Sequence, residues 1–299
     1  MIADAPQSTN EFRDTQEPHR QRWHLRLAPL HGLLVLAILL RTATWWPSHA
    51  FLGVLEYDDG VYYSSSRLLL AGLWPYRDFT IVHPPILAVV LMPAAAIGRF
   101  FGDPIGMASA RVLMQAVAVA NVVLVYRLAK FLPLPVRVRP RAALVAAGVY
   151  TVMPNAVSAE HTVLLEPLVN VACLSAVYLL LRNQAPLRRD MFLAGVLIVA
   201  GLGIKLFAGA YVMGVLVWVL STRQYRLVTP YFAGLASGSL VLLGPFVARA
   251  PASSWHDIVV TQLSRPENTG VDHGIARLAS MAGLGYASAW GGACLFLML

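Results

Sequence analysis

The chain has 299 residues, 58% of them hydrophobic and 13% charged, with a mean hydropathy of +0.63 and a formal net charge of +8. This balance excludes a soluble enzyme, a disordered adaptor and a disulfide-stapled secreted domain, because charge-poor stretches of the roughly 20 residues that a membrane helix needs follow one another from Leu27 onward. The 23 Lys and Arg residues fall in blocks between those stretches, so they orient the chain in a bilayer and carry no nucleic-acid signal.

In chain order, residues 1–26 form a polar tail containing Arg13, Arg20, Arg22 and Arg26. The first apolar segment, 27–46, lacks a cleavage site, which makes it a retained anchor. It ends in Trp45 and Trp46, residues that favour a membrane interface, so the amino terminus is expected in the cytoplasm. A polar excursion over 47–83 follows, with Glu56, Asp58, Asp59 and Asp78. Residues 60–74 within it read as an interfacial helix, since Val61, Leu68, Leu69 and Leu70 alternate with polar groups. Further apolar segments cover 84–98, 104–126, 142–159, 167–181, 191–220, 227–248 and 278–299. Cys173 and Cys294 lie inside apolar runs and act as small hydrophobes. The expected fold is all-α: a polytopic transmembrane helical bundle of eight or nine membrane segments, forming a single domain over 27–299 with no soluble domain after it.

The loops bearing Arg127, Lys130, Arg137, Arg139 and Arg141, then Arg182, Arg188 and Arg189, then Arg223 and Arg226, are expected on the cytoplasmic side. Residues 47–83, 155–166 and 249–277 are then outward. Two apolar segments separate the outward His83 from the basic loop at Arg127, whereas a change of side needs an odd number. Either 84–98, with its three prolines, does not cross, or the loop breaks the charge rule. Residues 191–220 must go out and return, which two short helices turning near Gly201, Gly203 and Lys205 would allow.

Chemistry concentrates in Glu56-Tyr57-Asp58-Asp59-Gly60-Val61-Tyr62-Tyr63, continued by Gly72-Leu73-Trp74-Pro75-Tyr76-Arg77-Asp78 and His83-Pro84-Pro85. Adjacent carboxylates just outside a membrane span are costly beside hydrocarbon and serve no packing purpose. An acidic pair after the first helix, a tyrosine a turn on, Gly-x-x-Pro-Tyr-Arg-Asp and a basic residue before Pro-Pro together resemble the GT-C superfamily of integral membrane glycosyltransferases. Within it the pattern is similar to protein O-mannosyltransferases and to the transferases that add aminoarabinose to lipid A. The tight resemblance covers residues 57–85.

The resemblance implies a sugar donor linked to polyprenyl phosphate and a glycan, lipid or protein acceptor at the outer face of the cytoplasmic membrane. It implies that Asp58 is the base taking the acceptor proton, that Asp59 orients the acceptor or helps hold a divalent metal, Mg or Mn, and that Tyr62 lines the cavity. His83 stands where relatives carry a lysine that contacts phosphate. A hydroxyl acceptor does need a general base, and a departing lipid phosphate needs positive charge more than a proton. Inverting single displacement follows from that equipment.

Arg77, His83, Lys205 and Arg265 are the candidate phosphate contacts. Lys205 sits in an apolar, glycine-rich setting, where it either meets the substrate or snorkels to the interface. Arg77 equally suits an exposed pair with Asp78, and Glu166 equally suits a helix amino terminus. Residues 255–267 are either a lid or a connection. The alternatives to a transferase are a transporter or lipid flippase, whose ionisable groups would lie at the bilayer midplane, and a catalytically inactive scaffold of the same fold. There is no nucleotide-binding loop, nucleophile elbow or metalloprotease motif.

Overall fold

In the computed structural model, residues 17–46, 51–183 and 185–264 are described. Arg265, the rest of the outward segment 249–277 beyond it and residues 278–299 therefore lie outside the described residues. The described chain is helical throughout, with a lone bridge between Pro75 and Phe79. The helices are α1 (Glu17–Ala43), α2 (Tyr57–Leu70), α3 (Ile86–Val90), α4 (Met92–Phe101), α5 (Asp103–Ala129), α6 (Arg139–Val152) and α7 (Pro154–Glu160). They continue as α8 (Glu166–Leu181), α9 (Arg188–Leu202), α10 (Gly209–Ser221), α11 (Val228–Gly238), α12 (Gly244–Val247), α13 (Pro251–Trp255) and α14 (Thr261–Leu263).

The expected eight or nine membrane segments are not what the described residues contain. Two helical stretches are long and apolar enough to cross, Asp103–Ala129 and Tyr225–Val247, and a third if α6 and α7 form one span bent by 61°. The physical reason is local. Counting apolar runs joins pieces that prolines and glycines cut: Pro154 removes a backbone donor and ends α6 at Val152. The run over 191–220 is the two short helices expected there, α9 and α10, which turn at Gly203 and Lys205. Pro29–Ala43, Glu166–Leu181 and Leu206–Ser221 are apolar but shorter.

Both ends of the α3–α4 segment meet α2. His83 stands edge-on to the Tyr62 ring, and Asp103, just past α4, pairs with Arg67 and accepts the Tyr63 hydroxyl at 3.2 Å. From Ile86 to Phe101 the segment spans about 24 Å at 1.5 Å per residue, less than the roughly 30 Å of hydrocarbon. The same contacts place Asp103 beside α2.

α5, α6, α8, α9, α10 and α11 then alternate in direction. Contacts at one end tie them together: Arg41 of α1 to Glu160, Lys205 to Glu166, and Trp74 to Phe246. The three basic loops fall at the other end. One apolar core joins α2, α3, α4, α5 and α8 through Tyr62, Leu87, Leu91, Met114 and Leu168; a second joins α8, α9, α10 and α11 through Leu180, Ile198, Val219 and Tyr231. α9 and α11 approach at Gly195 and Gly234, where a Cβ on Gly195 would come within 2.7 Å of the Tyr231 carbonyl oxygen. Small residues at such crossings let helix backbones pack closely.

Candidate active site

α2 begins three residues before the expected interfacial helix, so both acidic side chains stand in its first turn. Consecutive residues on a helix point about 100° apart, and this separates the two carboxylates. Asp58 is exposed, whereas Asp59 is fully buried. Asp59 Oδ2 accepts hydrogen bonds from Arg111 Nη2 at 2.8 Å, Thr162 Oγ1 at 2.7 Å and the Leu55 amide at 3.2 Å. Arg111 also donates to the carbonyls of Phe51 and Gly53, at 2.7 and 2.6 Å. The carboxylate of Asp59 thus fastens the start of α2 and the preceding chain to α5.

Asp58 faces a different environment. With Glu56, Asn155, Ser158, Ala159, Leu164 and Glu166 it lines a cavity of about 290 Å³. Glu166, at the first position of α8, accepts from Lys205 Nζ at 2.5 Å. The lysine reaches it because α9 stops at Leu202: a Cβ on Gly201 would come within 3.2 Å of Cys173 and Ala208, and Lys205 itself is extended, with φ −150° and ψ 131°. Its ammonium lies 5.4 Å from the centre of the Phe207 ring. The Gly203 carbonyl in this break accepts the Ile86 amide at 2.8 Å, so the break is also bonded to the start of α3.

Of the residues singled out from sequence, the structure therefore brings Asp58 and Glu166 to one cavity and bonds Lys205 to its wall. Tyr62 lies one turn beyond Asp58 in the apolar core, and His83 is against it, with ring centres 6.0 Å apart. The His83 carbonyl accepts the buried Tyr76 hydroxyl at 2.7 Å; burial raises the pKa of that phenol and keeps it a donor. Arg77 lies in the loop packed against Leu69 near the far end of α2. It is bonded to Asp78 at 2.8 and 3.0 Å. That bond, with the Trp74 amide, holds the Asp78 carboxyl below the usual carboxylate range. Residues 255–263 of the expected lid or connection are helical, and Gln262 Nε2 donates to the Val82 carbonyl at 2.8 Å.

Three features were not anticipated from sequence. Glu56, Asn155 and Ser158 line the cavity, and Glu56 lies 3.2 Å from His161 Nε2. Beneath them Glu160, fully buried, accepts from Arg41 at 2.6 and 2.9 Å, from Asn121 at 2.7 Å and from the Tyr150 hydroxyl at 2.6 Å. The available signal was Arg41 and Arg111 inside apolar runs, where a charge must find a partner. Among the described residues no three His, Cys, Asp or Glu side chains cluster as metal ligands. The site chemistry on display is three carboxylates, Glu56, Asp58 and Glu166, around one polar cavity, with an ammonium bonded to Glu166.

No curated protein and no solved structure matches the chain. A family match does exist over residues 82–248, a stretch that contains His83, Glu166 and Lys205 but begins after Asp58 and Asp59. Since that stretch is more than half of the sequence, the chain belongs to the dolichyl-phosphate-mannose-protein mannosyltransferase family, within the GT-C superfamily of membrane glycosyltransferases.

Proposed function

We propose that this membrane protein transfers a monosaccharide from a polyprenyl-phosphate carrier to an acceptor hydroxyl at the outer face of the cytoplasmic membrane. The observation that carries the reading is the shared cavity of Asp58 and Glu166, with Lys205 bonded to its wall, in a chain of this family. Its placement is supported by the three basic loops at the opposite end, which the positive-inside rule assigns to the cytoplasm together with the start of α1.

Asp58 is the base. It takes the proton from the acceptor hydroxyl while that oxygen bonds to the anomeric carbon, and the bond from that carbon to the phosphate oxygen breaks in the same step. The polyprenyl phosphate leaves with the electron pair, and its charge is met by Lys205. Glu166 holds the ammonium at the cavity until the phosphate arrives. Asp59 positions rather than reacts: its ties to Arg111 and Thr162 hold the first turn of α2 so that Asp58 faces the acceptor. His83 borders the same region beside Tyr62; Arg77, already bonded to Asp78, has the lesser part.

Asp58→Asn tests the assignment, because it keeps the size of the side chain and removes its basicity. The variant should remain folded in the membrane and lose transfer by about 10² to 10⁴-fold, the range for a general base. Full transfer by this variant, measured with a radiolabelled polyprenyl-phosphate sugar and cell-envelope acceptors, overturns it.

A further inference from the structure

At the end of the bundle remote from Asp58, the connections between α8 and α9 and between α10 and α11 form a cavity of about 410 Å³. Its walls are Ala185, Pro186, Leu187 and Arg188 from the first connection and Arg226 and Leu227 from the second. Both arginines are exposed, and among the described residues neither has an ion-pair partner. The acid beside them is already committed. Asp190 is buried and accepts from Arg182 at 2.6 Å and Asn183 at 2.9 Å, with Arg189 at 3.7 Å. Arg182, Arg188, Arg189, Arg223 and Arg226 therefore share these two connections and their flanks with a single carboxylate, Asp190, which Arg182 already neutralises.

The same end has an apolar feature. Between the last turn of α8 and the side of α10, from the first turn of α10 down to Trp218, lies a groove of about 330 Å³, walled by Val177, Leu181, Tyr211, Gly214 and Trp218 among others. A charged recess near an apolar groove, at the water-facing end of a membrane bundle, matches an amphiphile with an anionic head. A guanidinium offers paired N–H donors that fit two phosphate oxygens at once, and basic pockets between membrane helices hold anionic head groups. Pro186, Leu187 and Leu227 give the recess apolar walls, which suit a glycerol backbone better than a free hydrated ion.

We propose that this cavity binds the phosphodiester of an anionic glycerophospholipid, with Arg188 and Arg226 contacting the phosphate and the groove between α8 and α10 receiving an acyl chain. The lipid is a structural ligand of the leaflet facing away from the Asp58 cavity, separate from the sugar carrier.

The test uses the full chain purified in a neutral detergent. Lipid retention is followed by native mass spectrometry and thermal stability by melting, with added dioleoylphosphatidylglycerol, dioleoylphosphatidylcholine or glycerol 1-phosphate. The phosphatidylglycerol should be retained and should raise the melting temperature, while phosphatidylcholine and glycerol 1-phosphate should not. Arg188→Gln with Arg226→Gln should weaken phosphatidylglycerol binding by roughly 25-fold, at about fivefold per arginine. Arg188→Lys with Arg226→Lys, which keeps the charge but not the fork, should give an intermediate loss. Arg137→Gln with Arg141→Gln, in another basic loop, should leave binding intact. Undiminished binding in the first pair of substitutions overturns the proposal. So does an equal loss in the Arg137 and Arg141 pair, which would mean diffuse charge attraction, or equal stabilisation by glycerol 1-phosphate, which would mean a soluble phosphate site.

Discussion

Asp58→Asn and Asp59→Asn make the same chemical change one residue apart, with different expected outcomes. Asp59 is the anion for a guanidinium that is itself fully buried. Removing one member of a buried pair costs about 3–5 kcal/mol, because the other charge stays out of water without compensation. Arg111 would keep its bonds to Phe51, Gly53 and Thr162, which places Asp59→Asn at the lower end, about 3 kcal/mol. At roughly 2–4 °C per kcal/mol for a domain of this order, the melting temperature should fall by roughly 6–12 °C. The buried thiol of Cys173 supplies the assay: in a Cys294→Ser background, a thiol-reactive dye reports its exposure as the protein melts. Asp58, exposed, should shift the transition by about 1 °C or less when changed to Asn, within the range of surface substitutions. Replacing Asp59 and Arg111 together by Leu and Met should recover most of the stability, since a hydrophobic pair of similar volume often replaces a buried ion pair without loss. A melting temperature for Asp59→Asn within 2 °C of wild type, or an equal fall for Asp58→Asn, refutes the reasoning.

Other outcomes follow from the same geometry. Glu160→Gln strips the charge from a group holding Arg41, Asn121 and Tyr150, and should cost about 3–5 kcal/mol in the same melting assay. Gly195→Ala should destabilise by about 1–3 kcal/mol, the range for overpacking, since its methyl would press on the α11 backbone; an unchanged melt would mean that α9 and α11 can move apart freely. Lys205→Met should lower kcat/KM about 10² to 10³-fold, as loss of a preorganised electrostatic contact does, with membrane levels of the protein unchanged. The depressed Asp78 carboxyl contributes stability above its unfolded value near 4, and this is lost as pH falls through the still lower native value. The melting difference between wild type and Asp78→Asn should therefore stay constant from pH 5 to 8 and close only in acid.

Much of the fold was legible where local chemistry decides it. The segment expected at 167–181 is α8, which starts one residue earlier and ends as expected, and the break expected near Gly201, Gly203 and Lys205 is where α9 ends. What misled was length. An apolar run reads the same whether it is straight or cut, so 142–159 looked like a single span although Pro154 interrupts regular helix, whereas 227–248 does hold as one stretch, Tyr225–Val247, through a π-helical turn at Ser239–Leu243. The candidate site was legible only in part. Asp58 and Glu166 are 108 residues apart in the sequence, and their meeting depends on how α2, α7 and α8 pack. The different surroundings of Asp58 and Asp59 depend on which way α2 is rotated, which Arg111 settles from a helix that no local pattern links to the motif.

The hydrogen bond from the Ile86 amide to the Gly203 carbonyl spans 117 residues of sequence and joins two irregular pieces of backbone. Because Gly203 also rests directly on the Ile86 side chain, with no room for even a methyl between them, the stretch descending from His83 and the kink that carries Lys205 are riveted into one mechanical part. A shift in either must drag the other, so the histidine and the lysine travel as a unit with respect to the carboxylate on α2.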